Sequence, residues 1–126
     1  MVNGLFASPN YQGLKKMLDA TVMRQEAIAS NLANLETPNY KRIDVEPSFG
    51  SELSRAIGEQ SASDISRVQP RLVVDKNAGA PNRDGNTVQL DTELLKQQEN
   101  VLTHNLETQF ISGSLARLRS AISGTV

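Results

Sequence analysis

Near its start, the chain carries apolar residues at intervals of three and four, the spacing that places side chains on one face of an α-helix. Ser8 is a favourable N-cap, and Pro9 would take the first helical position, where its missing N–H costs nothing. Thr37-Pro38 then disfavours further helix, because the residue before a proline is pushed out of the α region. We therefore predict an amphipathic helix from Pro9 to about Leu35. Its apolar stripe consists of Tyr11, Leu14, Leu18, Ile28, Leu32 and Leu35.

A second amphipathic segment lies near the other end of the sequence. Asp91 is the predicted N-cap, Leu90 and Leu95 form a predicted hydrophobic staple across the first turn, and Gly124 is the predicted stop. Two apolar rows run along this helix, and a helix with two such rows usually contacts more than one neighbour. Row one comprises Leu94, Val101, Ile111, Leu115, Leu118 and Ile122, and row two comprises Leu95, Leu102, Leu106 and Phe110.

The segment between the helices is rich in Ser, Asp, Asn, Gly and Pro. The helical spacing of Phe49, Leu53 and Ile57 predicts a short helix, and residues 68–74 predict a strand. The turn at residues 84–86 precedes a second predicted strand, 87–90, and residues 58–66 and 77–86 are predicted loops. The expected fold is mainly α, with the two long helices paired as a coiled-coil-like hairpin around an irregular middle segment with short β-strands. The expected division is 1–40, 41–90, with a possible β-hairpin, and 91–126.

Composition narrows the possible functions of this chain. Its 126 residues correspond to one domain, and the balance of 13 basic against 14 acidic residues lacks the basic excess of a nucleic-acid-binding protein. The absence of Cys excludes disulfides, and a single His makes a transition-metal site improbable. No apolar run approaches the roughly 18 residues of a membrane span. The first residues also lack the charged start and apolar stretch of a cleavable secretory signal.

No residue pattern in this sequence fits a catalytic template. His104 lies within the second helix, without a nucleophile or an acidic partner on its helical face, so we expect it to be solvated or to face a partner. Asp44, Glu46 and Glu52 form a loose acidic cluster whose spacing is typical of a solvated surface. No glycine-rich phosphate-binding loop is present. We therefore expect no enzymatic activity, no cofactor and no metal.

The segment from Asn31 to Lys41 is the most informative part of the sequence. It combines a helix end rich in amide side chains with a proline stop and an aromatic residue. Asn31 and Asn34 are three residues apart and share one helical face, which indicates specific hydrogen bonds to backbone groups. A plain C-cap and exit turn is the alternative, although one Asn would satisfy it.

This segment, ANLETPNY, resembles the pattern A-N-x-x-T-P-G-Y of the bacterial flagellar rod, hook and hook-filament junction proteins. Ala33, Asn34, Thr37, Pro38 and Tyr40 match that pattern as they stand. The departure is at residue 39, where many members have Gly and this chain has Asn, the next residue most tolerant of the left-handed region. The family also pairs its N- and C-terminal helices across an intervening segment.

The chain is similar to one of the two short members of this family, which belong to the proximal rod. Its segment DGNTVQLDTE resembles that member's D-G-N-x-V-x-L-D-x-E entry into the last helix. The resemblance implies a structural subunit that assembles by helix packing into a torque-transmitting tube. We then expect row one to pack on the chain's own N-terminal helix and row two to face neighbouring subunits, although the reverse fits the sequence as well.

The resemblance also implies a location and a set of partners. The expected partners are other rod subunits and copies of the chain, the adaptor and membrane ring at the rod base, and the flagellar type III export apparatus. Export without a cleaved signal would place the chain in the periplasmic rod, and the missing cysteines suit that oxidising compartment. The candidate assembly residues are Leu14, Leu18, Ile28, Asn31, Leu32, Asn34, Thr37, Pro38, Tyr40, Leu94, Val101, Leu102, Leu106, Phe110, Ile111, Leu115, Leu118 and Ile122. The alternative function is a cytosolic helical adaptor or chaperone-like dimer that uses the same stripes.

Overall fold

The computed structural model describes residue 6 and residues 8–124. The elements are α1 (Pro9–Ala33), β1 (Ile43–Val45), α2 (Ser48–Gly58), α3 (Ala62–Arg67), β2 (Leu72–Val74) and α4 (Leu90–Ser123). Helices α1 and α4 run antiparallel, because Asn31 near the end of α1 meets Glu93 near the start of α4 and Thr21 meets Glu107. The expected mainly α fold with paired long helices is confirmed. Some predictions extend outside the described residues. These are the predicted units 1–40 and 91–126 and the absence of a secretory signal in the first residues.

The start of α1 follows its sequence signals, and its end comes two residues earlier than predicted. The Ser8 Oγ accepts from the Tyr11 N–H at 3.1 Å, and Pro9 occupies the first turn. The helix ends at Ala33 with Asn34 as its C-cap, and the Asn34 side chain donates to the Ser30 carbonyl at 2.8 Å. The Asn34 N–H donates to the same carbonyl at 3.1 Å, so the side chain and the backbone of Asn34 together close the last turn.

The predicted start of α4 is wrong by two residues. Gln89 is the N-cap, without a side-chain capping bond, and the proposed staple does not form, since Leu90 and Leu95 are both exposed. Val88 is the buried apolar residue instead, and its N–H donates to the Asn86 Oδ1 at 2.7 Å. This contact fixes how the chain enters the helix. The predicted stop is confirmed, because Gly124 has the left-handed φ of 71°.

The hydrophobic core lies on the side of α1 that faces the middle segment. It is built from α1, β1, α2, α3 and the residue that follows α3, with the side chains of Ala20, Val45, Phe49, Leu53, Ala56, Ile65 and Val68. The predicted short helix around Phe49 is confirmed as α2. The predicted loop over 58–66 is wrong in its second half, because Ser61 caps α3 and Ile65 of that helix is fully buried.

The two strands form an antiparallel pair in which Ile43 lies opposite Val74 and Val45 opposite Leu72. The strand predicted at 87–90 is wrong, since the partner of β2 is β1. Residues 87–89 are irregular and Leu90 already belongs to α4. Thr87 makes two isolated bonds, from its N–H to the Tyr40 carbonyl at 3.0 Å and from the Arg42 N–H to its Oγ1 at 2.8 Å. These two bonds hold residues 87–89 against the start of the sheet, but they do not form a β-ladder. Residues 77–86 form a loop, as predicted.

Across residue 6 and residues 8–124, no helix combines the length and the apolar character that a membrane crossing requires.

Candidate functional site

The contact between α1 and α4, here called the seam, is polar along much of its length. Glu93, Asn100 and Glu107 are the buried residues of α4, and they recur every seven positions. The expectation that row one packs on α1 is wrong for Leu94 and Val101, which are exposed, whereas Ile111 and Leu118 of the same row are half-buried. The buried heptad precedes the predicted one by a single residue. One residue corresponds to a rotation of about 100° around the helix.

The start of α4 accounts for this rotation. Glu93 has no exposed surface, and its carboxylate pairs with Arg42 and accepts from the Asn31 amide. An unpaired buried carboxylate would be costly, so the partners of Glu93 determine which face of α4 turns inward. Leu94 and Val101 are then left exposed.

Further along the seam, polar side chains are matched across the two helices. The Asn100 Nδ2 donates to the Thr21 carbonyl at 2.9 Å, and the Thr21 Oγ1 lies 2.9 Å from the Glu107 Oε2. The His104 Nδ1 lies 3.5 Å from the same hydroxyl, so His104 faces α1. Burial raises the pKa of the Glu107 carboxyl above its ordinary value of 4.5, against the lowering effects of the Thr21 hydrogen bond and the charges of His104 and Arg24.

We expect Glu107→Gln to stabilise the helix pair at neutral pH. Because the folded-state pKa is raised, the stability that this residue contributes is present below the ordinary value of 4.5 and is lost as the pH rises through the folded pKa. The amide keeps an acceptor for Thr21 and removes that loss. Thermal unfolding followed by circular dichroism from pH 4.5 upward measures it.

The matched control for this variant is Glu99→Gln, which changes an exposed carboxylate on the same helix. The control should leave the pH profile unchanged, whereas Glu107→Gln should flatten it. A profile that Glu107→Gln leaves as steep as before would contradict the account.

At the end of α1, the side chain of Asn31 joins three segments of the chain. This residue is fully buried, and its Nδ2 donates to the Ile43 carbonyl at 2.9 Å and to the Glu93 Oε2 at 3.2 Å. Its Oδ1 accepts from the Ile43 N–H at 3.0 Å and from the Tyr40 hydroxyl at 3.3 Å. Every hydrogen-bonding position of the amide is therefore used. The prediction that this Asn makes specific bonds to backbone groups is confirmed.

The turn after α1 is held by a second buried amide, Asn86. Its Nδ2 lies within hydrogen-bonding distance of three carbonyls of the turn, at 2.8 Å, 3.1 Å and 2.8 Å. Those carbonyls belong to Asn34, Leu35 and Thr37. The Thr37 Oγ1 in turn donates to the Asn34 Oδ1 at 3.1 Å. The two sequence segments that carry the family resemblance, 33–40 and 84–93, are therefore in direct contact.

Backbone geometry explains why this chain can have Asn at position 39, where the family pattern has Gly. Asn39 has a φ of 61°, in the left-handed region that Gly and Asn tolerate. Gly85, with a φ of 82°, packs against it so closely that a Cβ would lie 2.3 Å from the Asn39 Oδ1. The Asn39 N–H also donates to the Asp84 carbonyl at 2.9 Å. Asn39 thus preserves the expected turn.

Beside this turn lies a buried ion cluster centred on Arg42. Its guanidinium pairs with Glu93, with Asp44 at 3.0 Å and with Asp75 at 2.8 Å. Burial acts to lower the pKa of Arg42, but the hydrogen bonds and charges of Glu93 and Asp44 outweigh burial and raise it. Arg24 on α1 pairs with the outer side of Asp44 at 3.2 Å. The cluster therefore ties α1, β1, the end of β2 and α4 together.

Tyr40 contributes both a ring and a hydroxyl to the contact between the end of α1, the turn after it and the start of α4, here called the junction. The hydroxyl bonds to Ser30 and Asn31, so Tyr40→Phe should cost about 0.5–1.5 kcal/mol of stability. Tyr40→Ala also removes the packing of a half-buried ring, and we expect a loss of roughly 2–4 kcal/mol. Thermal unfolding and swimming in soft agar measure both variants. A Phe variant that is damaged as severely as the Ala variant would contradict the account.

The structure divides the predicted assembly residues into two groups. Ile28 and Asn31 are buried, and the remaining predicted residues up to Tyr40 are half-buried or exposed. On α4, Ile111 and Leu118 are half-buried. The others are exposed, namely Leu94, Val101, Leu102, Leu106, Phe110, Leu115 and Ile122. Their role in assembly stays a prediction.

Sequence reasoning missed the buried polar residues that organise this site. The burial of Arg42, Asn100 and Glu107 was not predicted from the sequence. A signal was present for the seam, since Glu93, Asn100 and Glu107 have the same heptad spacing as an apolar seam would have. For Arg42 no local signal existed, because its partner Glu93 is 51 residues away.

Comparison with known proteins identifies relatives of this chain. A profile of the family described as "Flagella basal body rod protein" matches residues 18–41. Similar chains include flagellar basal body rod protein FlgB of Borrelia hermsii, 34% identical over 74% of this chain and 80% of the relative. FlgB of Aquifex aeolicus is 33% identical over 87% of this chain and 90% of the relative, and that of Escherichia coli is 25% identical over 97% of each. Because these relatives match the chain over most of its length, the chain belongs to the FlgB family of flagellar basal body rod proteins.

Proposed function

We propose that the chain assembles by helix packing with copies of itself and other rod subunits into a torque-transmitting tube. As a member of the FlgB family, it is a structural subunit of the flagellar basal-body rod and not an enzyme. Assembly with other rod components and a location in the basal body follow from that membership.

The observation that carries this proposal is the apolar surface of α4. Nine large apolar side chains of this helix are each more than 40% exposed in the single chain, among them Leu102 at 63% and Phe110 at 64%. Large contiguous apolar patches on soluble proteins usually mark interaction surfaces. A subunit whose helix must pack against neighbours would carry such a surface.

The junction supports the mechanical part of the proposal. Buried side chains tie the start of α4 to the end of α1 and to the sheet through the Arg42 cluster and the amides of Asn31 and Asn86. A buried amide such as Asn31, whose donors and acceptors are all used, rigidifies the elements that it joins. Load applied to one helix would therefore pass to the other at this point.

We also propose that the chain reaches the periplasmic rod through the flagellar type III export apparatus, without cleavage of a signal. The proposal includes contact with the adaptor and membrane ring at the base of the rod. These points are supported by the family membership and by a sequence without cysteine, which suits an oxidising compartment.

Cell fractionation tests this proposal against a cytosolic adaptor, which the relatives do not support. Cells that lack the gene should not swim, and the chain should co-purify with basal bodies from complemented cells. A helical adaptor would remain in the cytoplasm. Swimming cells without the gene, or basal bodies from which the chain is absent, would contradict the proposal.

A further inference from the structure

Two carboxylates are buried where α4 meets α1, but only one of them has a cation as its partner. Glu93 pairs with Arg42. Glu107 is 4% exposed, and in the part of the chain that the structure describes no cationic side chain forms an ion pair with it. A buried carboxylate without a partner is costly, and such a group tends to take up a proton instead. The surroundings of Glu107 therefore favour its protonated form.

One hydroxyl of α1 links Glu107 to the neighbouring His104. The Thr21 Oγ1 lies 2.9 Å from the Glu107 Oε2 and 3.5 Å from the His104 Nδ1. The same oxygen lies 2.9 Å from the Leu18 carbonyl. A Thr hydroxyl has one proton to donate, so it cannot donate to all of these neighbours at once. A proton on the Glu107 carboxyl would donate to Thr21 and leave the hydroxyl proton for the Leu18 carbonyl.

The effects on the pKa of Glu107 come from both helices. Burial is the strongest of them and raises this pKa. The hydrogen bond from Thr21 and the charge of His104 lower it, as does the charge of Arg24 on α1, but together they do not outweigh burial. Arg24 also pairs with Asp44 at 3.2 Å, which neutralises part of its charge.

We propose that Glu107, Thr21 and His104 hold one proton between α1 and α4, and that the middle of the seam loosens when this proton is lost. The proton is exchanged with solvent, and no other bond to it is needed. Because the folded-state pKa of Glu107 is raised, closure is complete below the ordinary pKa of 4.5 and is lost as the pH rises through the folded-state pKa. The junction should stay closed, since Glu93 is paired there with Arg42. The proposal concerns the single chain, so it stands or falls separately from assembly of the rod.

Carbon-13 NMR of the full chain tests where the proton is held. The side-chain carboxyl resonance of Glu107 is assigned by its loss in Glu107→Gln. It should titrate at a higher pH than the resonance of Glu99, an exposed carboxylate on the same helix. His104→Gln should move the Glu107 titration to a still higher pH, because this variant removes a charge that lowers the pKa. The proposal would be overturned if the Glu107 resonance titrated together with that of Glu99, or if His104→Gln left its titration unmoved.

Amide hydrogen exchange, compared between variants at the same pH, tests whether the loosening is local. At neutral pH the amides of residues 103–111 should exchange several-fold more slowly in Glu107→Gln than in the natural chain, because the Gln amide cannot ionise. The amides of residues 93–97, beside the junction, should exchange alike in both chains. At pH 4.5 the two chains should match along all of α4, and the control Glu99→Gln should match the natural chain at both pH values. Equal exchange of residues 103–111 at neutral pH, or slowing spread evenly along α4, would overturn the proposal.

Discussion

Leu102→Asp should abolish incorporation of the chain into basal bodies and leave the isolated chain folded. Leu102 is 63% exposed and does not contact the core, so a carboxylate at this position remains hydrated in the single chain. In a dry contact between subunits the same carboxylate would be buried without a partner. Such burial costs several kcal/mol or more, and the cost recurs at each copy of the contact.

The matched control is Val74→Asp, which places the same change at a side chain of β2 that is 52% exposed. Both variants should show the circular dichroism of the natural chain, and only Leu102→Asp should disappear from immunoblots of basal bodies. Swimming in soft agar should fail in parallel. Normal swimming by Leu102→Asp cells would show that row two is not an assembly surface.

Arg42→Met should destabilise the chain by about 3–5 kcal/mol, the usual cost of removing one partner of a buried ion pair. Arg42 is 2% exposed and Glu93 is fully buried, so the variant leaves the Glu93 carboxylate without its cation. A domain is typically stable by about 5–15 kcal/mol in total. The loss should therefore lower the midpoint of thermal unfolding strongly and release the start of α4 from β1.

The double variant Arg42→Met with Glu93→Met separates the ion pair from packing. Replacing both partners removes the stranded charge, so the double variant should regain much of the stability that Arg42→Met loses. Recovery should be incomplete, because Asp75 also loses its contact with Arg42 while Asp44 keeps Arg24. The account would be contradicted if the double variant lost more stability than the sum of the losses of the two single variants.

The features that the sequence predicted well are those with local causes. The start of α1 depends on Ser8 and Pro9, and the left-handed turn at Asn39 depends on that residue's own conformational tolerance. The mainly helical architecture follows from apolar spacing along each helix. Each of these signals lies within a few residues of the structure that it predicts.

The rotation of α4 could not be predicted in the same way. Apolar spacing does not distinguish a face that packs within the chain from a face that stays exposed in the single chain. Row one has the stronger apolar pattern, yet the seam is formed by Glu93, Asn100 and Glu107. Their burial depends on Arg42, Asn31 and Thr21, which are more than fifty residues away in the sequence.

The remaining differences from the sequence prediction involve short elements. Helix α3 has six residues and strand β1 has three, too few for periodicity to distinguish them from a loop. β1 is identified by its pairing with β2, and α3 by the burial of Ile65 in the core. Both are consequences of tertiary packing.

The central claim is that the outward face of α4 is buried between subunits of the rod. Protection of a thiol placed in row two tests this claim most directly. Leu106→Cys is compared with Val74→Cys, both at side chains that are about half exposed in the single chain. In the isolated protein both cysteines should react fully with a maleimide. In purified basal bodies the cysteine at position 106 should be protected and the one at position 74 should still react, whereas full labelling of position 106 in assembled rods would contradict the account.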